Sequence, residues 1–194
     1  MTVMRIGING FGRIGRQVLK AMYDKYKAEL QVVAINDLYD VNTSAHLLEF
    51  DSTYGRSPHE VAVIGEGPGA AIKYGDWTVA CHAERDPRNL PWGELGVDVV
   101  IESTGLFTTG PKAQAHIEAG AKRVVISAPA KEEDITVVIG VNEHLYDPAK
   151  HRIISNASCT TNCLAPAVKV VNDAFGVLNG LMCTILSYTN DQRI

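Results

Sequence analysis

The chain has 194 residues, of which 46% are hydrophobic, 21% charged and 7% aromatic. This length suffices for one well-buried domain and the beginning of a second, and the composition is that of an ordinary globular protein. The net charge of -4, without a Lys/Arg run, excludes nucleic acid as the main partner, because binding a nucleic acid requires basic groups that neutralise its phosphates. No apolar stretch reaches the ~18 residues that span a bilayer and no signal-peptide pattern is present, so we expect a cytoplasmic protein without membrane contact.

Strand and helix patterns alternate through the first two thirds of the sequence. Short β-branched runs predict buried parallel strands at 5–9, 31–36, 97–102 and 123–127. Between the first two strands, apolar residues recur every four positions and predict one buried face of a helix over 13–26; they are Ile14, Val18, Met22 and Tyr26. Pro111 and Gly120 delimit a second helix, on which we expect His116 to be exposed. The sequence therefore predicts an α/β fold of the Rossmann type, a mostly parallel sheet with flanking helices.

The rest of the chain is an irregular insertion and the start of a second unit. Within the insertion at 53–92, the composition predicts strands at 61–64 and 77–82. After Ser158, a helical pattern over 159–175 and an alternating pattern over 181–189 indicate a new α+β unit. We expect a cofactor-binding domain at 1–157 and the beginning of a catalytic domain at 158–194.

A glycine motif directly follows the first predicted strand. Gly10, Gly12 and Gly15 form G-x-G-x-x-G where a helix opens, an arrangement that lets the backbone approach a pyrophosphate at the helix N-terminus. Asp37 lies 22 residues after Gly15, where a carboxylate binds ribose hydroxyls and repels a 2'-phosphate. These features predict NAD as the cofactor, in preference to NADP. Arg13 fits either a pyrophosphate ligand or a surface charge.

A cysteine lies at the start of the predicted helix over 159–175. Ser158 is a good N-cap, and a helix N-terminus favours the thiolate form of a cysteine next to it, so Cys159 is a candidate nucleophile; a small packing residue is the alternative. A thiolate beside a nicotinamide can attack an aldehyde. The four cysteines form no disulfide framework, and Cys159 with Cys163 lacks the histidines of a zinc site, so we expect no metal.

Seven segments, in order along the whole chain, carry a resemblance to a known family. They are INGFGRIGR, IND, ERDP, ESTGLF, SAP, SNASCTTNCLAP and SYTNDQ. Together they resemble the phosphorylating, NAD-dependent glyceraldehyde-3-phosphate dehydrogenases. The resemblance implies oxidation and phosphorylation of glyceraldehyde 3-phosphate with inorganic phosphate, in glycolysis, through a thiohemiacetal and a thioester on Cys159. It also implies a homotetramer for the full-length family, with assembly open for this chain.

The resemblance also implies roles for individual residues. Ser158 and Thr160 would bind one phosphate group, and Thr189, with Asp191 nearby, would lie at the other. The cofactor would be bound by Asn9, Gly10, Phe11, Gly12, Arg13, Ile14, Asp37, Arg85, Thr104, Gly105 and Ser127.

The sequence departs from the family pattern at its general base. The family has a histidine before the segment that resembles SYTNDQ, and this chain has Leu186 there. A hydrocarbon cannot take a proton, and the family's downstream phosphate ligands have no counterpart in the 194 residues, so we expect impaired turnover. Two alternatives stay open: an erythrose-4-phosphate dehydrogenase, and a non-catalytic NAD-binding or interaction module.

Overall fold

The computed structural model describes residues 3–186, in which strands and helices alternate. The strands are β1 (Met4–Asn9), β2 (Leu30–Asn36), β3 (Phe50–Asp51), β4 (Gly55–Arg56), β5 (Val61–Ile64), β6 (Ala71–Tyr74), β7 (Trp77–His82), β8 (Val99–Glu102), β9 (Arg123–Ile126), β10 (Ile135–Thr136) and β11 (Ile153–Ser155). The helices are α1 (Arg13–Tyr26), α2 (Val41–Glu49), α3 (Gly110–Glu118) and α4 (Cys159–Phe175). None of these helices is long and apolar enough to cross a membrane.

The main sheet is mostly parallel. Its strand order is β10-β11-β9-β8-β1-β2-β7-β6-β5, and the strands from β10 to β7 pair in parallel, while β6 and β5 form an antiparallel edge. The four strands predicted as buried and parallel are β1, β2, β8 and β9, which lie side by side. The predicted α/β fold of the Rossmann type is confirmed.

The order of strands fixes where a ligand can enter. From β1 the chain passes to β2 on one side, and later to β8 on the other. The loops after β1 and β8 therefore leave the sheet in opposite directions and open a crevice at the carboxyl ends of these strands, the usual ligand position in such a sheet. The glycine motif follows β1 and so lies at this crevice.

Helix α1 has the predicted bounds, but the predicted buried face is only partly right. Val18 and Met22 pack against the core, whereas Ile14 is 53% exposed and Tyr26 50% exposed. Each four-residue step turns a helix by ~40° more than a full turn, so the two ends of a long stripe rotate out of contact with the sheet. Leu19, which lies between them, is 1% exposed and forms the centre of the contact.

Six of these strands and helices were not predicted from the sequence, namely α2, β3, β4, β6, β10 and β11, and one predicted strand is absent from the described residues. Helix α2 begins after Asp40, whose carboxylate caps it by accepting from the backbone N–H groups of Asn42 and Thr43; β6 lies between the two insertion strands that were predicted. Residues 181–186 form no strand, because no described residue pairs with their backbone. The remainder of that prediction, 187–189, lies outside the described residues.

Candidate active site

Four strands of the parallel part of the sheet end in buried polar residues. These are Asn9 on β1, Asn36 on β2, Glu102 on β8 and Ser155 on β11, all at most 4% exposed. The carboxyl ends of parallel strands meet at one edge of a sheet, and a buried polar side chain requires hydrogen-bond partners. Asn36, Glu102 and Ser155 bond to the loops at this edge, and Asn9 bonds to the side chains of Glu102 and Asn36.

The glycine turn after β1 has the three properties that a dinucleotide-binding turn requires. Gly10 has φ +90°, and a Cβ there would lie 2.6 Å from the backbone of Ser103 and Thr104. A Cβ on Gly15 would overlap the carbonyl oxygen of Gly10, so this glycine lets α1 pack against β1. A Cβ on Gly12 would meet nothing within 4 Å. The turn is therefore closely packed at Gly10 and Gly15 and open at Gly12, where a pyrophosphate has room to approach.

Asp37 follows β2 and supports the same turn. One carboxylate oxygen accepts a hydrogen bond from the backbone N–H of Phe11 at 2.6 Å, and the other accepts from the N–H of Tyr39 at 3.2 Å. A carboxylate has about four acceptor sites, so two remain for further donors such as ribose hydroxyls. The structure thus brings Asp37 and the glycine motif together, as the spacing predicted.

The start of α1 offers backbone donors more than a side-chain cation. The first bond of the helix runs from the Arg16 N–H to the Gly12 carbonyl, so the N–H groups of the preceding turn have no helical acceptor. The guanidinium of Arg13 instead pairs with Asp51 at 3.2 Å. Backbone N–H groups of Thr53 and Tyr54, together with Arg13, lower the pKa of Asp51 to about 2, so this pair is charged at neutral pH.

The loop after β8 forms the opposite wall of the crevice. Thr104 donates from its backbone N–H (2.8 Å) and its hydroxyl (2.5 Å) to the same oxygen of Glu102, and its hydroxyl accepts from the N–H of Leu106 at 3.0 Å. Gly105 has φ +75°, which lets the chain turn back toward α3. Ser127 follows β9 and donates its backbone N–H to the carbonyl of Glu102 at 2.9 Å.

Arg85 and Asn9 occupy different places at this edge. Arg85 is exposed in the loop after β7, which is anchored where the N–H of Glu84 donates to the side-chain oxygen of Asn36 at 2.7 Å. Asn9 is 1% exposed, and its side chain is engaged by Glu102 and Asn36 beneath the glycine turn. Asn9 therefore supports the glycine turn at the buried end of β1.

The chain approaches Cys159 through a strained turn. The hydroxyl of Ser155 donates to the carbonyl of Ala128 at 2.7 Å and accepts from the N–H of Ala157 at 3.0 Å. Ala157 has φ +63°, a conformation that L-residues avoid unless their surroundings hold them there. Ser158 then caps α4 by accepting from the N–H of Thr161 at 2.9 Å. Cys159 is consequently exposed at the first position of the helix, as predicted, with Thr160 beside it.

The cysteines differ in accessibility. Cys159, Cys163 and Cys183 are exposed, whereas burial raises the pKa of the Cys81 thiol to about 11. Thr189 lies outside the described residues. Leu186 is 56% exposed and belongs to no strand.

The prediction that His116 is exposed is wrong. His116 is 0% exposed, and its ring lies between the carboxylate of Glu102 at 2.9 Å and the indole nitrogen of Trp92 at 3.1 Å. Ala113, three residues earlier on α3, is also fully buried, so the helical spacing contained a signal for the buried face. Sequence patterns could not show that Glu102 and Trp92 surround this position, because they come from distant parts of the chain.

This combination defines a class of protein. The domain is a dinucleotide-binding domain of the Rossmann type. Its strand order reverses between β1 and β8, its glycine turn is open at the N-terminus of α1, and a carboxylate follows β2. Residues 4–110 match the model of the glyceraldehyde 3-phosphate dehydrogenase NAD binding domain, and residues 158–194 match that of the C-terminal domain of the same family. The chain belongs to the glyceraldehyde 3-phosphate dehydrogenase family, and NAD is the cofactor of its dinucleotide-binding domain.

Curated relatives agree along the whole sequence. The chain is 59% identical over 194 residues to glyceraldehyde-3-phosphate dehydrogenase 1 of Streptomyces avermitilis, covering 100% of this chain and 56% of the relative. It is 56% identical over 191 residues to glyceraldehyde-3-phosphate dehydrogenase of Geobacillus stearothermophilus, covering 98% of this chain and 55% of that relative. The chain therefore spans about half the length of the curated relatives it matches.

Proposed function

We propose that this chain carries the NAD-binding half, and the first part of the catalytic half, of an enzyme that oxidises and phosphorylates glyceraldehyde 3-phosphate to 1,3-bisphosphoglycerate. The observation that supports this most is the juxtaposition of two elements on one sheet edge: a glycine turn open at Gly12, and an exposed thiol at the first position of α4. Relatives that are 59% and 56% identical to the chain bear the name of this dehydrogenase. The proposed division is a cofactor domain at 1–157 and a catalytic unit beginning at 158.

The glycine turn and the start of α1 would hold the pyrophosphate, through the free backbone N–H groups of the first turn. Asp37 would bind the adenosine ribose, and its negative charge would disfavour the 2'-phosphate of NADP. Thr104, Gly105, Ser127 and Arg85 would border the rest of the cofactor. NAD supplies the hydride acceptor when it is bound.

Cys159 would attack the aldehyde carbon as a thiolate and form a thiohemiacetal. Loss of a hydride to the acceptor that NAD supplies, and of the hydroxyl proton to a base, would then leave a thioester. Inorganic phosphate would attack the thioester carbon and displace the Cys159 thiolate, giving the acyl phosphate. Cys159 is the first residue of α4, and the N-terminus of a helix in general favours a nearby negative charge. Ser158 and Thr160 flank the thiol and would bind a phosphate group, and Thr189 would serve the other phosphate site.

Leu186 would impair this reaction. The hydroxyl proton must leave together with the hydride, and a leucine side chain cannot accept it. Loss of a positioned general base costs about 10²- to 10⁴-fold in rate. Leu186 thus also favours a second candidate function, a non-catalytic module that binds NAD without turnover.

An exchange at position 186 in a chimera tests these proposals. Residues 1–194 are joined to the remaining C-terminal part of the Geobacillus stearothermophilus relative, and the parent is compared with Leu186→His. NADH formation is followed with glyceraldehyde 3-phosphate and phosphate, and in parallel with erythrose 4-phosphate. We expect the His variant to be at least about 100-fold faster with glyceraldehyde 3-phosphate.

The other outcomes separate the alternatives. Faster NADH formation with erythrose 4-phosphate than with glyceraldehyde 3-phosphate would identify the enzyme as an erythrose-4-phosphate dehydrogenase. Equal rates for the two residues would show that position 186 is not the general base. NAD binding without turnover in both chimeras would support the non-catalytic module. Cys159→Ser is the matched control, because it keeps the helix start and removes the thiolate.

A further inference from the structure

A buried carboxylate lies under the cofactor crevice, and the function proposed above gives it no role. Glu102 is the last residue of β8 and is 1% exposed. Its neighbours in space come from three parts of the chain: Asn9 on β1, Thr104 in the loop after β8, and His116 on α3. A buried charge is costly unless hydrogen bonds satisfy it, so these partners are a requirement of the fold.

Four donors satisfy the carboxylate of Glu102. One oxygen accepts from the backbone N–H and the hydroxyl of Thr104, at 2.8 and 2.5 Å. The other oxygen accepts from the side-chain amide of Asn9 at 2.6 Å and from the Nε2 of His116 at 2.9 Å. Four acceptor sites therefore meet four donors, and one oxygen is bonded to Thr104 while the other is bonded to Asn9 and His116.

The histidine is fixed as a donor by its other neighbour. The indole nitrogen of Trp92 can only donate, and it lies 3.1 Å from Nδ1 of His116. Nδ1 must therefore accept, and the proton of the neutral ring lies on Nε2, directed at Glu102. Trp92 is 0% exposed, so this arrangement is held within the core behind the crevice.

The bonds of Glu102 extend to both walls of the crevice. Asn9 donates to Glu102 and accepts from Asn36 at 2.7 Å, which ties the ends of β1, β2 and β8 together. The hydroxyl of Ser103, the residue after Glu102, donates to the carbonyl of Gly10 at 2.6 Å. The glycine turn and the Thr104 loop thus share one buried anchor.

We propose that Glu102 is a positioning residue for the NAD site, which fixes the glycine turn through Asn9 and the opposite wall through Thr104. The inference rests on the proposed cofactor site. The direction of the change in NAD affinity distinguishes positioning from a charge effect, because a negative charge beneath an anion-binding turn repels a pyrophosphate. Removal of the charge alone would tighten NAD binding, whereas loss of positioning weakens it.

The test uses Glu102→Gln in the 194-residue chain. Glutamine has the shape of glutamate but presents an NH₂ group to two of the four donors. The matched control is Glu118→Gln on α3, whose carboxylate pairs with Arg88 at the surface. NAD affinity is measured by calorimetry under conditions where each variant is folded by circular dichroism. Amide hydrogen exchange of Thr104 and Leu106 is measured without cofactor.

Weaker binding supports the proposal. We expect the NAD Kd of Glu102→Gln to rise by about tenfold or more, with faster exchange at both amides, while Glu118→Gln matches the parent. Unchanged or tighter NAD binding with unchanged exchange would overturn the positioning role. If the parent itself fails to bind NAD, the proposed cofactor site is wrong, and the exchange rates still decide whether Glu102 holds the loop.

A second variant covers the case in which Glu102→Gln does not fold. His116→Phe keeps a ring in the core but removes the Nε2 donor to Glu102, at a position outside the cofactor site. We expect it to weaken NAD binding and to speed exchange at the Thr104 amide, while Glu118→Gln on the same helix resembles the parent. Parental affinity and parental exchange in folded His116→Phe would overturn the proposal.

Discussion

Two alanine substitutions can separate the two roles of the glycine turn, which are access for the cofactor at Gly12 and packing of α1 against β1 at Gly15. Gly12→Ala places a methyl group where nothing lies within 4 Å, at a backbone with negative φ (-72°) and ψ -159°, at the edge of the extended region. Gly15→Ala places the same group against the Gly10 carbonyl, with the Ile8 side chain at 3.1 Å and the Ser103 hydroxyl at 3.2 Å. The first change should affect the cofactor, and the second should affect the fold.

The magnitudes follow from this geometry. Alanine at the helix N-cap is less favourable than glycine, but reduced freedom of the unfolded chain stabilises the protein by about 0.4–1 kcal/mol, so Gly12→Ala should be nearly neutral. In Gly15→Ala, a helix-propensity gain of about 1 kcal/mol opposes overpacking of about 1–3 kcal/mol. The obstacle is a backbone oxygen in a fixed turn, which favours the upper end. We expect a net loss of about 2 kcal/mol, or about 4–8 °C in Tm.

Gly12→Ala should weaken NAD binding although it leaves the stability of the fold almost unchanged. Loss of a hydrogen bond between a backbone N–H and a phosphate costs about 1.5–3 kcal/mol, which corresponds to about a 10- to 150-fold rise in the NAD Kd. Thermal unfolding and NAD titration of both variants provide the two measurements. A clear drop in Tm for Gly12→Ala, or parental NAD affinity in that variant, would refute the assignment of the open side of the turn.

Three further predictions concern single side chains. The parent should bind NAD more tightly than NADP, and Asp37→Ala should weaken NAD binding and reduce the preference for NAD over NADP. Asp37→Asn serves as the control, because its side chain can still accept from the N–H of Phe11. A parental preference for NADP would contradict the assignment. Limited iodoacetamide followed by mass mapping should modify Cys159 first, and earlier modification of Cys81 would show that the start of α4 does not activate a thiol. The raised pKa of Cys81, about 11 against an ordinary 9.0, means that its unfolded form loses the proton first as pH rises. The free energy of unfolding should therefore fall between pH 9 and 11 by up to about 2.7 kcal/mol relative to Cys81→Ala, and parallel curves for the two proteins would contradict this.

Local sequence patterns determined helices α1 and α4 and the four strands β1, β2, β8 and β9. The bounds of α1 and α4 were readable because apolar periodicity and a capping residue act within one or two turns. The glycine motif and Asp37 were readable because the backbone of a strand, turn and helix admits few residue types at those positions. The cysteine at the start of α4 followed from Ser158, its N-cap.

Tertiary structure alone decided which residues share an environment. Glu102, His116 and Trp92 meet through contacts that span 14 and 24 positions, and each has a bland local context that predicts an ordinary strand end, helix position or loop. The exposed position assigned to His116 was therefore wrong, since a histidine becomes a core residue only when distant donors and acceptors satisfy both of its nitrogens. The pairing of Asn9 with Glu102 and Asn36 beneath the glycine turn was also invisible in the sequence, where the family resemblance alone gives Asn9 as a cofactor residue. The sequence determines which polar and reactive side chains the protein carries, and the packing of the sheet determines which of them form hydrogen bonds with one another.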